Sequence, residues 1–194
     1  MEMIKSLLDF VLHIDDQLKL IIEQYGTLTH WILFIIIFCE TGLVVTPFLP
    51  GDSLLFAAGA FAAGGSLKLP WLLILLFIAA VAGDTLNYWI GHWIGPKAFS
   101  GTLPFLKKAH LDRTNAFFAK HGGKTIILAR FVPILRTFVP FTAGVAGMPY
   151  LRFIAFNIFG GIGWVAAMTT LGYFIGQSPL ADQIHKVILV VVVL

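Results

Sequence analysis

Charge and sulfur are both scarce in this chain. Only 12% of its 194 residues are Asp, Glu, Lys or Arg, about half the share of an ordinary soluble domain. With 58% of residues hydrophobic, a water-soluble globule of this length has no core large enough to hide so much apolar side chain, and lipid must cover much of it. A disordered chain, a coiled coil and a disulfide scaffold are excluded on the same composition. The one cysteine, Cys39, leaves no internal disulfide and sits in an apolar run, where it reads as a small buried hydrophobe and not as a redox group. What is abundant points the same way. Eighteen Phe and five Trp suit anchoring at membrane interfaces, and nineteen Gly suit close helix approach in lipid. One membrane domain over residues 1–194 is expected.

Residues 1–30 carry a helical stripe of Ile4, Leu7, Leu8, Val11, Leu12, Leu18, Ile21 and Ile22 with most acids off it, the pattern of an interfacial amphipathic helix. The stretch lacks the basic start and small-residue cleavage site of a signal peptide. Residues 31–64 are apolar apart from Glu40 and Asp52, but Pro47, Pro50 and Gly51 interrupt them. Arms of about 15 residues are too short for a hydrocarbon core that needs about 20, so a re-entrant hairpin is predicted, its break lining a protein-covered or watery cavity. Residues 70–95 are long enough to cross, with Trp71 and Trp93 near the two ends. Residues 96–125 hold Lys97, Lys107, Lys108, Arg113, Lys120 and Lys124 against Asp112, and the positive-inside rule makes this loop cytoplasmic. A second hairpin is predicted over 126–147, broken at Pro133, Pro140 and Gly144, followed by a crossing at 150–176. Residues 184–194 open a further apolar segment too short to span, which implies a last helix that continues beyond Leu194.

The two hairpins look like copies. Pro47-Phe48-Leu49-Pro50-Gly51 is echoed by Pro140-Phe141-Thr142-Ala143-Gly144, and Tyr88-Trp89-Ile90-Gly91 by Tyr173-Phe174-Ile175-Gly176. One crossing and one cytoplasmic loop separate the halves, so the second hairpin opens to the opposite side. The predicted fold is therefore an all-α membrane protein: an inverted repeat of two re-entrant helical hairpins, each followed by a transmembrane helix, with an N-terminal amphipathic helix and a C-terminal helix. Transporters built this way place their substrate site between the repeats at the broken helices.

Glu40, Asp52, Arg130 and Arg136 fall inside the hairpins. A charge at the bilayer centre costs at least ~2.5–3.5 kcal/mol, so all four need partners. One account is a pair of structural salt bridges. The other divides the work by sign. Arg130 and Arg136 are not on one helical face, but the break at Pro133 could let them converge, and guanidinium forks match the oxygens of a phosphate. Glu40 and Asp52 can take up and release a proton, and could hold the arginines until phosphate displaces them. Asp84 and Asn87, at i and i+3 of one helix, read as cavity residues or as helix-to-helix hydrogen bonding. Asn157 and Trp164 read as packing, and Arg152 as a headgroup contact. His110 and His121 have no partners at ligand spacing, and the apolar segments hold no cluster of His with Ser or Asp, His30 and His92 standing alone near membrane ends, so no metal, no cofactor and no catalytic group is expected.

These residues carry a resemblance that covers roughly 1–178. Phe38-Cys39-Glu40-Thr41-Gly42, Pro47 to Ser53, Gly83-Asp84 with Asn87-Tyr88, His121-Gly122-Gly123-Lys124, Arg130-Phe131-Val132-Pro133 with Arg136-Thr137, and Asn157 with Trp164 are together similar to the DedA family of bacterial inner-membrane proteins. The resemblance implies a multi-pass protein of the cytoplasmic membrane that returns undecaprenyl phosphate or a related phospholipid across it with the proton-motive force. It implies the acidic pair Glu40 and Asp52 and the arginine pair Arg130 and Arg136 as functional residues, and relatives among eukaryotic lipid scramblases. Expected partners are thus a lipid-linked phosphate, protons and membrane lipids, with self-association open and no nucleic acid. An uncoupled scramblase and an intramembrane lipid enzyme are the alternatives.

Overall fold

The computed structural model describes residues 14–43, 51–97 and 122–179, and all regular structure in them is helical. The elements are α1 (Ile14–Tyr25), a 3₁₀ turn (Gly26–Leu28), α2 (Thr29–Gly42), α3 (Gly51–Ala63), α4 (Leu69–Lys97), α5 (Lys124–Ala129), α6 (Pro133–Val145) and α7 (Tyr150–Gly176). Pro47, Pro50, the greater part of the basic loop and residues 184–194 lie outside the described residues.

Local chemistry sets the boundaries. α4 carries Pro70 in its first turn, where a missing N–H leaves no helical bond unmade. Between α5 and α6 the chain tightens: the amides of Arg130, Phe131 and Val132 each donate three residues back, to Ile127, Leu128 and Ala129, as helix ends do when carbonyls run out of partners. Val132 then turns extended, at φ −120° and ψ 109°, because the ring of Pro133 disfavours helical backbone in the residue before it. α6 ends on Gly147 at φ 64°, with Met148 donating to Ala143 and Gly147 to Gly144, the paired closure that a left-handed glycine permits.

Three differences from the sequence reading emerge. The run Gln17–Gly42 is, at 26 residues, long and apolar enough to cross a membrane, as are Leu69–Gly95 and Tyr150–Gly176. The first is therefore, by length and composition, a third candidate span over residues where an interfacial helix and one hairpin arm were predicted; a 3₁₀ turn over Gly26–Leu28, with Gly26 at φ 52°, lies between α1 and α2 within it. Pro140 does not break the second hairpin but lies inside α6, a position tolerated where neighbouring helices cover the freed carbonyl. Gly144 also lies inside α6 and serves as a contact point. Of the predicted breaks, Pro133 is one, and Gly51 opens α3.

The chain divides into two compact units. The first holds 1–37, 48–78 and 165–194, the second 38–47 and 79–164. In the first, α3 is buried on nearly all sides, as expected of a helix apolar all round, and α1 packs against it. In the second, Tyr88, Ile126, Ala129, Val139, Ala143, Met148 and Phe153 form the core. Large apolar side chains such as Leu151, Phe159, Trp93 and Leu128 are about two-thirds or more exposed, a belt that only lipid would accommodate.

Each unit contains the same joint. In the first, a Cβ on Gly59 would overlap the Thr169 carbonyl, one on Gly172 the Phe56 carbonyl, and one on Gly176 the backbone of Ala60. In the second, a Cβ on Gly144 would overlap the Tyr88 carbonyl, one on Gly91 the Phe141 carbonyl, and one on Gly95 would press on Val145. In both, a short helix meets the C-terminal part of a long helix through glycines four apart, the spacing that lets backbones touch in lipid. These contacts pair Gly144 with Gly59 and Phe141 with Phe56, not 140–144 with 47–51. Equivalent packing, and not the letter match, gives the register.

Candidate functional site

The second unit gathers the buried charges. α2 and α4 meet at two glycines: a Cβ on Gly42 would lie 3.3 Å from the Gly83 Cα, and one on Gly83 would overlap the Thr41 hydroxyl. This close approach brings the last turn of α2, with Glu40, to the middle of α4, with Asp84. On α4, Asp84 and Asn87 stand at i and i+3 and so share a face.

Arg130, at the end of α5, donates through Nη2 to Asp84 Oδ2 and to Asn157 Oδ1. Arg136, in the first turns of α6, donates through Nη2 to Glu40 Oε1. All four charged side chains are 3% exposed or less. The break at Val132–Pro133 resolves the geometric problem of two arginines six residues apart. Both guanidiniums lie on one indole, with Arg130 Cζ 5.9 Å and Arg136 Cζ 4.9 Å from the centroid of Trp164. The π face attracts each cation and sets them beside each other although they repel.

Asn87 organises the surroundings. Its Nδ2 donates to the Thr41 carbonyl at 3.2 Å and to the Thr137 carbonyl at 2.7 Å. The first is one of the carbonyls that a helix end leaves without an intrahelical partner. Thr41 follows Glu40 and Thr137 follows Arg136, so one amide fixes the backbone beside both members of an ion pair. Asn157 plays a matching part, donating to the Val81 carbonyl at 3.1 Å while accepting from Arg130. Gly160 leaves room for the Arg130 stem: a Cβ there would stand 3.0 Å from its Cδ.

The sequence-predicted residues are therefore partly reunited. Glu40, Arg130 and Arg136 join one cluster, with Asp84 and Asn87 in it, and Arg130 is held by Asp84. Asp52 belongs to the other unit, in the first turn of α3, and is partly exposed. Asn157 and Trp164, read as packing, are ligands of the arginines. A signal for them was present, since Asn157, Gly160 and Trp164 fall at i, i+3 and i+7 and so line one face of α7. Arg152 is exposed at the start of that helix.

Two carboxylates balance two guanidiniums, yet hydrogen-bonding capacity is left over. Arg130 Nε and Nη1, Asp84 Oδ1 and Asn87 Oδ1 are buried with no hydrogen-bond partner among the described residues. Buried donors of this kind are costly unless something polar meets them. The remaining N–H groups of Arg130 are donors that an oxyanion matches.

Comparison with known proteins gives the chain its relatives. The VTT domain matches residues 49–174. Protein DedA of Escherichia coli (strain K12) is 50% identical over 193 residues, 98% of this chain and 88% of that protein. A membrane protein of Mycobacterium leprae (strain TN) is 45% identical over 157 residues, 80% of this chain and 70% of its own. Inner membrane protein YqjA of Escherichia coli (strain K12) is 38% identical over 152 residues, 78% of this chain and 69% of its own. No solved structure matches. With a family domain over most of its length and half of its residues shared with a full-length relative, the chain belongs to the DedA family of membrane proteins.

Proposed function

We propose that the chain is a transporter that carries a lipid-linked phosphate, undecaprenyl phosphate or a related phospholipid, across the bacterial cytoplasmic membrane with coupled proton movement. The observation that carries this reading is the pair Arg130 and Arg136, both buried, both on Trp164 and each held by a carboxylate. An anionic headgroup competes with Asp84 and Glu40 for the guanidiniums. A proton taken up by either carboxylate neutralises it and releases its arginine to the phosphate; when the proton leaves, the carboxylate reclaims the arginine and the phosphate departs. Binding and proton exchange thus become one equilibrium. The cluster offers groups that bind and let go, guanidiniums that match a phosphate and carboxylates that compete for them, which favours transport. The identity of the lipid comes from the family resemblance.

The matching glycine joints of the two units support an internal repeat, and the break before Pro133 supports a re-entrant second hairpin over 126–147. With a matching hairpin over 31–64 the halves form an inverted repeat, a frame that lets the site face the two leaflets in turn. Asp52, beside the break of the first hairpin in the first turn of α3, is assigned to proton entry.

Liposomes containing the purified protein test the reading. Flux of labelled undecaprenyl phosphate should follow an imposed pH gradient and fall to the protein-free level in Arg130→Gln/Arg136→Gln. Flux that ignores the gradient identifies an uncoupled scramblase, and flux undiminished in the double variant overturns the role of the arginines.

A further inference from the structure

The first unit contains an open cleft of about 360 Å³ lined by Thr27, His30, Trp31, Lys68, Trp71 and Leu75. Lys68 directly precedes α4, whose candidate spanning run starts at Leu69, and Thr27 belongs to the 3₁₀ turn between α1 and α2, so the cleft lies beside that turn at the level where α4 would enter the membrane. Trp31 and Trp71 are 55% and 59% exposed. Paired indoles beside a lysine at a span boundary are what the headgroup region selects, and Leu75, one turn further along α4, continues the lining toward the hydrocarbon. The far end of α4 leads into the basic 96–125 stretch, and a helix that crosses once has its ends on opposite faces.

His30 gives the cleft chemical direction. Its side chain is 9% exposed, and its Nδ1 lies 3.1 Å from the Thr27 carbonyl. A carbonyl only accepts, so Nδ1 carries a proton, and a ring with that single proton presents Nε2 as an acceptor. Nε2 is buried with no hydrogen-bond partner among the described residues. The cleft therefore offers a cation for a phosphate, indole faces that can cover an ammonium, and an acceptor for an N–H or O–H.

We propose that this cleft binds the headgroup of a phospholipid bearing a hydrogen-bond donor beyond its phosphodiester, on the membrane face opposite the basic 96–125 stretch. Ethanolamine and glycerol headgroups meet both requirements; choline, whose nitrogen carries no hydrogen, meets only the first. The residues are none of those in the arginine cluster, and the site stands whether or not that cluster transports lipid.

Native mass spectrometry of the purified chain, with phosphatidylethanolamine, phosphatidylglycerol and phosphatidylcholine of identical acyl chains, tests this. Wild type should retain the first two at least about fivefold more strongly than the third, and Lys68→Gln should weaken both by about fivefold, the effect of one basic side chain at a headgroup. His30→Leu should remove the preference and leave phosphatidylcholine retention unchanged. Lys68 is exposed, so its replacement leaves folding intact even if the His30 variant does not fold. Equal retention of the three lipids by wild type, or wild-type retention in Lys68→Gln, overturns the proposal. Full displacement by millimolar glycerol phosphate would reassign the cleft to a soluble phosphate. Arg130→Gln/Arg136→Gln, which removes the headgroup ligands of the other site, should keep the wild-type preference for the first two lipids over the third; loss of that preference would place it in the arginine cluster instead.

Discussion

Arg136 donates to Glu40 from 96 residues further along the chain, and both side chains are almost wholly buried. Removing one partner of such a pair strands the other charge in a low-dielectric interior, at about 3–5 kcal/mol, whereas replacing both with apolar residues is often neutral. Glu40→Leu should therefore destabilise strongly, and Glu40→Leu/Arg136→Leu should recover most of the loss. Thermal unfolding in detergent, read as a double-mutant cycle, checks this. A double variant that folds well yet binds no lipid phosphate would separate the functional role of the pair from any structural one.

Asn87 should prove to be a positioning residue. Its amide donates to the carbonyls beside Glu40 and Arg136. Asn87→Leu removes both donors and should cost about 1–3 kcal/mol. Asn87→Asp should be worse, since it sets a carboxylate against two carbonyl oxygens. Melting temperature gives the stability effect, and a weaker affinity for a lipid phosphate in the folded Leu variant gives the positioning effect.

Much of this arrangement was legible in the sequence, for identifiable reasons. The spans at 70–95 and 150–176 were found because an apolar run of that length has no other explanation. The charges in the apolar segments stood out because each is expensive in lipid. The convergence of Arg130 and Arg136 followed from Pro133, whose effect on Val132 is local and steric. Less local matters were hidden. Which acid faces Arg130 depends on the contact of Gly42 with Gly83, and small-residue contacts leave little trace in a sequence rich in glycine. Pro140 misled because a proline marks a helix break only when nothing else satisfies the freed carbonyl. Trp164 looked like packing because an indole in an apolar helix nearly always is; its role appears only once two cations are seen over its ring.

Trp164 should behave as a shared clamp. Cation–π contacts in a desolvated site contribute about 0.5–2 kcal/mol, so Trp164→Leu should weaken lipid-phosphate binding by roughly 2- to 30-fold. Trp164→Phe, which keeps a smaller π face, should fall between. If both variants bind as wild type, the indole only fills space. A titration of short-chain polyprenyl phosphate into protein in nanodiscs distinguishes the two.

The glycine joints carry the last prediction, and it has an internal control. Gly59 and Gly144 each face a backbone carbonyl that a methyl group would overlap; because the obstacle is backbone, the helices themselves must separate. Gly59→Ala and Gly144→Ala should each cost about 1–3 kcal/mol, the range for overpacking a close contact. Gly163 lies on the same helix as Gly172, but a Cβ there meets nothing within 4 Å, so Gly163→Ala should be neutral or stabilise by up to about 1 kcal/mol through helix propensity. Equal effects at all three positions would mean that propensity alone governs and that neither joint is tight. Similar losses at Gly59 and Gly144, with Gly163 spared, would show that the two units depend on the same joint to the same degree, as an internal repeat requires.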